Sequence, residues 1–200
     1  MISFLKFNNG LGLKINKFYI LLLILFFCTG CADKKYNGHY KIGPVYKKNG
    51  EKYVPTHNIK YIKTGLASWY GTKGGFHGKK TANGDMYNKN MLTAAHPTLP
   101  LPSMIKVTNL KNNKSLILMV NDRGPFKKSR ILDVSEKAAD LLGFKKHGIT
   151  KVNVEYLSDE TKDLLDKLTL TPKHGSKAKG KMKNQKCSVD CYIKMVNKLK

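Results

Sequence analysis

Acidic residues are scarce in this 200-residue chain: 13 Asp and Glu stand against 37 Lys and Arg, for a formal net charge of +24. Acid chemistry is thereby confined to few positions. The excess of cations suits nucleic acid, an anionic membrane face or an acidic wall polymer. It is spread along the chain rather than gathered in a patch, so a general richness in Lys and Asn accounts for it equally well. Cysteine is also sparse, with four in the chain (Cys28, Cys31, Cys187 and Cys191), and no histidines stand at zinc-ligand spacing from them. A glycine-rich phosphate cradle and a nucleophile elbow are both missing, so the sequence implies no metal and no cofactor. No internal repeat occurs, which sets aside solenoids and propellers.

The longest apolar run, Phe18–Phe27 (FYILLLILFF), is too short to span a bilayer. It follows Lys6, Lys14 and Lys17 with no acid before it, the pattern of a secretory signal. Cys28-Thr29-Gly30-Cys31 comes next and resembles a bacterial lipobox, although its third position upstream of the cysteine holds Cys28 rather than the usual Leu. The expectation is a signal peptide over 1–30 and a lipidated Cys31 that anchors the mature chain to a membrane. The resemblance to lipoproteins implies, with Ala32 in place of Asp, the outer membrane facing the periplasm. Export argues against nucleic acid as a partner. In an oxidising compartment Cys187 and Cys191 either pair with each other, pair with another chain or remain thiols.

Residues 31–63 are polar and punctuated by Gly43-Pro44, Asn49-Gly50 and Pro55, as in a flexible tether that partly docks on the domain beyond it. From Gly65 short apolar runs alternate with turn signals. Leu66–Tyr70, Met104–Leu110, Ser115–Val120, Ile131–Val134 and Ile149–Leu157 read as strands. Ser135 is placed to cap a helix over Glu136–Leu142, which Gly143 ends. Many short strands and one small helix predict an all-β barrel over 64–157. Residues 158–200 then form a short helix from Asp159 to Leu168 and a Lys-rich tail too poor in apolar residues for a core.

Within the barrel, Asn121-Asp122-Arg123-Gly124-Pro125 stands out. The apolar run Ser115–Val120 delivers Asp122 and Arg123 to a strand end, where Gly124-Pro125 stops the strand. An acid on a rigid strand end suits general acid chemistry; capping the turn and pairing with Arg123 is the plainer reading.

Seven motifs occur in order: GLASWYG (Gly65–Gly71), FHGKKTANGDMY (Phe76–Tyr87), LTAAHPTLPLP (Leu92–Pro102), VTNL (Val107–Leu110), VNDRGPF (Val120–Phe126), RILDVS (Arg130–Ser135) and AADLLG (Ala138–Gly143). Together they resemble the rare-lipoprotein-A family of septal-ring lytic transglycosylases. The resemblance implies a double-psi β-barrel with one or two short helices. It implies cleavage of the β-1,4 bond from N-acetylmuramic acid to N-acetylglucosamine with a 1,6-anhydro end, on peptidoglycan glycan strands free of stem peptides. It also brings in cell-division proteins as partners.

Carried over by motif, Asp122 is the general acid, with Asp85 and His96 as further catalytic candidates. The family commonly has Glu where Asp85 stands. The segment after Leu157 is too short and Lys-rich for the family's glycan-binding repeat domain. Trp69 and Tyr70 either stack under a sugar or join the core. His77 either contacts glycan or ends a loop, Asn83 with Gly84 shapes the turn presenting Asp85, and Arg123 points toward structure or substrate. Asp133, before the helix cap, reads as a structural brace. Two other functions remain open: glycan binding without cleavage, as in expansin-like barrels, and hydrolysis by an Asp122–Asp85 pair.

Overall fold

The computed structural model describes residues 36–71, 75–168 and 189–198. The signal segment, Cys31, Cys187 and the Lys-rich stretch after Pro172 lie outside them, as does the side chain of Cys191. A two-stranded hairpin, β1 (Tyr46–Lys48) and β2 (Glu51–Tyr53), comes first. The barrel strands are β3 (Ile62–Tyr70), β4 (Thr93–Ala95), β5 (Ser103–Asn109), β6 (Ser115–Asp122), β7 (Arg130–Ser135) and β8 (Ile149–Leu157). The helices, in chain order, are α1 (Glu136–Leu141), α2 (Ser158–Lys167) and α3 (Val189–Lys198).

The six strands close in the order β3-β7-β4-β6-β5-β8, a double-psi β-barrel. Two neighbouring pairs are parallel, β3 with β7 and β4 with β6, and the rest are antiparallel. Alternation drives the antiparallel half: Val152, Val154 and Tyr156 of β8 point inward, against Ile105 and Val107 of β5. Closure leaves no open sheet edge around this core.

Strand β6 departs from alternation, with Ile117 to Asn121 all buried. Its outer face is covered by α3, whose Ile193 and Val196 join the core. Strand β4 pairs with β6 only from Met119 onward, so the backbone of Ile117 has no strand partner on that side. Asn197 supplies one: Ile117 N–H donates to its Oδ1 at 2.8 Å and its Nδ2 donates to Ile117 O at 2.9 Å. On another side, Thr161 Oγ1 of α2 accepts from Met104 N at 2.8 Å, tying α2 to the start of β5.

Ser135 caps α1 as expected, its Oγ accepting from Ala138 N. The chain before the barrel is docked in its described part. Lys41 exchanges backbone hydrogen bonds with Leu101, and Tyr46 and Tyr53 stack at 5.1 Å and set their edges against Phe126. That seats the hairpin beside the turn carrying Asp122.

Candidate active site

Asp122 ends β6 opposite Ala95 of β4, and Ala95 faces Asp133 of β7 on its other side. Paired residues point to the same face of a sheet, so both carboxylates flank one small alanine, with Cα atoms about 10 Å apart from two inter-strand spacings. All three line a groove of about 560 Å³ whose walls include Trp69, Tyr70, Phe76, Phe126 and Arg130. The hairpin contributes Lys48 and Asn49 to it.

The Asp122 carboxyl is half-buried and held through one oxygen. Oδ1 accepts from the backbone N–H groups of Ala82 and Arg123, both at 2.8 Å. Burial pushes its pKa above the usual carboxylate value; the two N–H groups and the charges of Arg123 and Lys41 offset part of that rise. Arg123 does not pair with it. Its guanidinium turns away and donates to three backbone carbonyls, Leu99 at 2.6 Å, Ile42 at 2.7 Å and His96 at 3.2 Å. It thus ties β6 to the Pro-rich loop and to the chain before the hairpin. Gly124, at φ +134°, makes the turn after it in a conformation other residues rarely adopt.

Asp133 is braced on both oxygens: Ser68 Oγ donates to Oδ1 at 2.7 Å and an Arg130 Nη donates to Oδ2 at 3.2 Å. Burial raises its pKa too, against the lowering effects of Ser68 and Arg130. Tyr70 stacks on Tyr87 at 4.4 Å, and its buried hydroxyl has no hydrogen-bond partner among the described residues. Burial, with Asp122, Tyr87 and Asp133 nearby, holds that hydroxyl protonated. Trp69 lines the groove with its indole N–H fixed on Lys145 O at 3.1 Å.

Of the residues expected at a site, Asp122, Arg123, Trp69 and Tyr70 line this groove, while Asp85, Asn83, His96 and His77 do not. Asp85 is buried, accepting from Met86 N at 2.8 Å and from Asn121 Nδ2 at 3.4 Å. Asn83 is fully buried in the same turn, donating to Tyr36 Oη and accepting from Thr81 Oγ1 at 2.8 Å. What this turn offers the groove is the Ala82 N–H on Asp122.

His96 is 2% exposed. Its Nδ1 accepts from Leu99 N at 3.0 Å and Thr98 N at 3.2 Å, and Nε2 meets Tyr61 Oη at 2.9 Å. Burial first, then Arg123 and Lys63, push its pKa down to about 3, so the ring is neutral. His77 is exposed and accepts from Lys89 N at 3.3 Å. Asp133, expected to brace the barrel, is held on both oxygens and also lines the groove. Its spacing from Asp122 carries no periodic signal; only β4, inserted between their strands, brings them to one face.

A family model described as "Lytic transglycolase" matches residues 62–154. The chain is 50% identical over 215 residues to a protein of Rickettsia felis named endolytic peptidoglycan transglycosylase RlpA, covering 91% of this chain and 94% of that one. A protein of the same name from Rickettsia bellii is 48% identical over 216 residues, covering 91% and 95%. Among solved structures, a Streptomyces papain inhibitor superposes with a TM-score of 0.41 at 18% identity, over 52% of this chain and all of that one. The chain belongs to the RlpA family of endolytic peptidoglycan transglycosylases.

Proposed function

We propose that the protein is a lyase that cuts peptidoglycan glycan strands internally, at the β-1,4 bond from N-acetylmuramic acid to N-acetylglucosamine. Asp122 serves as acid and then as base. The observation that carries this is the asymmetry of its carboxyl: both backbone donors sit on Oδ1, Arg123 faces elsewhere, and burial favours the protonated form. The other oxygen bears the proton toward the groove. It passes to the glycosidic oxygen as the C1–O bond breaks. The sugar's own C6 hydroxyl then bonds to C1, and its proton returns to Asp122. No water enters, so one carboxyl suffices. Asp133, with donors on both oxygens, is the better-stabilised anion and offsets positive charge developing at C1.

On this reading Asp85 and His96 position rather than react. Asp85 holds Asn121 beside Asp122, and neutral His96 organises the loop whose carbonyls receive Arg123. Trp69 supplies an apolar wall for a sugar ring.

A second reading rests on the two carboxyls flanking Ala95. Two carboxyls in one groove also offer the acid and base of a hydrolase, with Asp133 in the place expected for Asp85, which does not line it. Incubating the purified protein with peptide-free and peptide-bearing strands separates them. Anhydro-ended products that vanish in Asp122→Asn support the lyase, whereas reducing ends select the hydrolase. Strands retained without any product would leave glycan binding alone.

The proposal extends to location: a lipid-anchored protein of the bacterial envelope, facing the periplasm, supported by the signal-like run and Cys31. Loss of membrane association in Cys31→Ser tests it.

A further inference from the structure

Next to the groove lies a second cavity of about 300 Å³ that the cleavage chemistry leaves unused. The two adjoin, since Pro125, Lys127 and Arg130 line both. Its floor is uncharged, formed by Tyr61, the neutral His96, Pro97, Thr98 and Ile131. Its rim is cationic, with Lys52 from the hairpin, Lys63 from β3 and Lys127 from the turn after Phe126. The one acid on it, Glu51, is bound by Lys128 at 2.7 Å. Among the described residues no carboxylate pairs with Lys52, Lys63 or Lys127. Arg130 stands between the cavities, an Nη on Asp133 and its buried Nε without a partner among the described residues. Cations converging on a neutral pocket, beside a groove for a polymer, are a site for an anionic substituent of that polymer.

We propose that this cavity binds a carboxylate carried by the glycan next to the bond being cut. The inference rests on the lyase reading, because it takes wall glycan as the occupant of the groove. Alternate sugars of that glycan carry a lactyl group. Its carboxyl is a free anion when the stem peptide has been removed, and an amide when the peptide, with carboxylates of its own, is attached. Either source offers the same charge to the same lysines. The docked hairpin is then part of substrate recognition, since Lys52 reaches the site from it.

The test uses the full chain with Lys52→Gln/Lys63→Gln, both exposed positions that do not line the groove of Asp122 and Asp133. Three substrates are compared: peptide-free strands, peptide-bearing strands, and peptide-free strands whose carboxyls are reduced to alcohols. If the lactyl carboxylate is bound, the double variant raises KM on peptide-free strands about 5- to 20-fold at low salt with kcat nearly unchanged. Reduced strands are then cut poorly and alike by both proteins, and added salt erodes the difference. A KM effect confined to peptide-bearing strands assigns the site to stem-peptide carboxylates. Equal KM for wild type on natural and reduced peptide-free strands, together with no KM change for the variant on peptide-bearing strands, overturns the inference, as does a variant equally impaired on natural and reduced strands. Either result leaves the lyase intact if anhydro ends still form. Absence of any cleavage by wild type would instead sink the lyase reading and this inference with it.

Discussion

Replacing Asp122 by Asn removes one proton and almost no shape, and the hydrogen bonds around the carboxyl fix how the fold responds. The amide oxygen accepts from Ala82 and Arg123 as Oδ1 does, leaving the NH₂ toward the groove. In the wild type, burial raises the folded pKa of Asp122 above the ordinary value of 3.8. Between the unfolded and folded values the folded state binds more protons, so stability falls as pH rises through that window and stays reduced above it. The variant does not titrate there. Its stability relative to wild type therefore climbs from pH 3 to pH 7.5, by about 1.4 kcal/mol for each pH unit separating the two values. Each kcal/mol corresponds to roughly 2–4 °C of melting temperature for a chain this size. Scanning calorimetry at both pH values measures the difference, and turnover on glycan should drop about 10²- to 10⁴-fold in the same protein. A variant that loses stability relative to wild type on going from pH 3 to 7.5 would refute the reasoning. It would mean that the fold favours the ionised carboxylate, which is no acid catalyst.

Arg123→Ala removes three charge-assisted bonds to carbonyls and should cost about 3–5 kcal/mol in chemical denaturation, with Lys recovering only part. Hydrogen exchange around Ile42 should rise with it. Ser68→Ala deletes a bond that favours ionised Asp133, so the Asp133 pKa rises and the limb of the pH–rate profile that needs its anion moves to higher pH. An unmoved limb would remove Asp133 from the chemistry. Asn197→Ala leaves the N–H and C=O of Ile117 without their partner and should destabilise the fold by about 1–3 kcal/mol, as seen by thermal melting, with little effect on KM.

Much of the barrel was legible because its long strands alternate. Val152, Val154 and Tyr156 announce β8, and Ser135 with Gly143 brackets α1. Strand β4 was not, since Thr93–Ala95 is three residues buried on both sides and has no period to read. The hairpin was hidden by its lysines: Tyr46 and Tyr53 make sense as a pair only once Phe126 is beneath them. At the site, Asp122 was visible from its strand-end position and from the family motif. Asp133 lay in a motif whose following Ser135 suggested a purely local role. Its place beside Asp122 comes through Ala95, which pairs with both, a register no local pattern encodes.

In the proposed mechanism a protonated Asp122 drives cleavage with the sugar's own hydroxyl as nucleophile. Mass analysis of the ends formed when the purified full chain acts on peptide-free glycan strands in ¹⁸O-labelled water separates this mechanism from hydrolysis. Muramic-acid ends one water lighter than hydrolysed ends, and free of label, are the expected products. Reducing ends carrying ¹⁸O would contradict it.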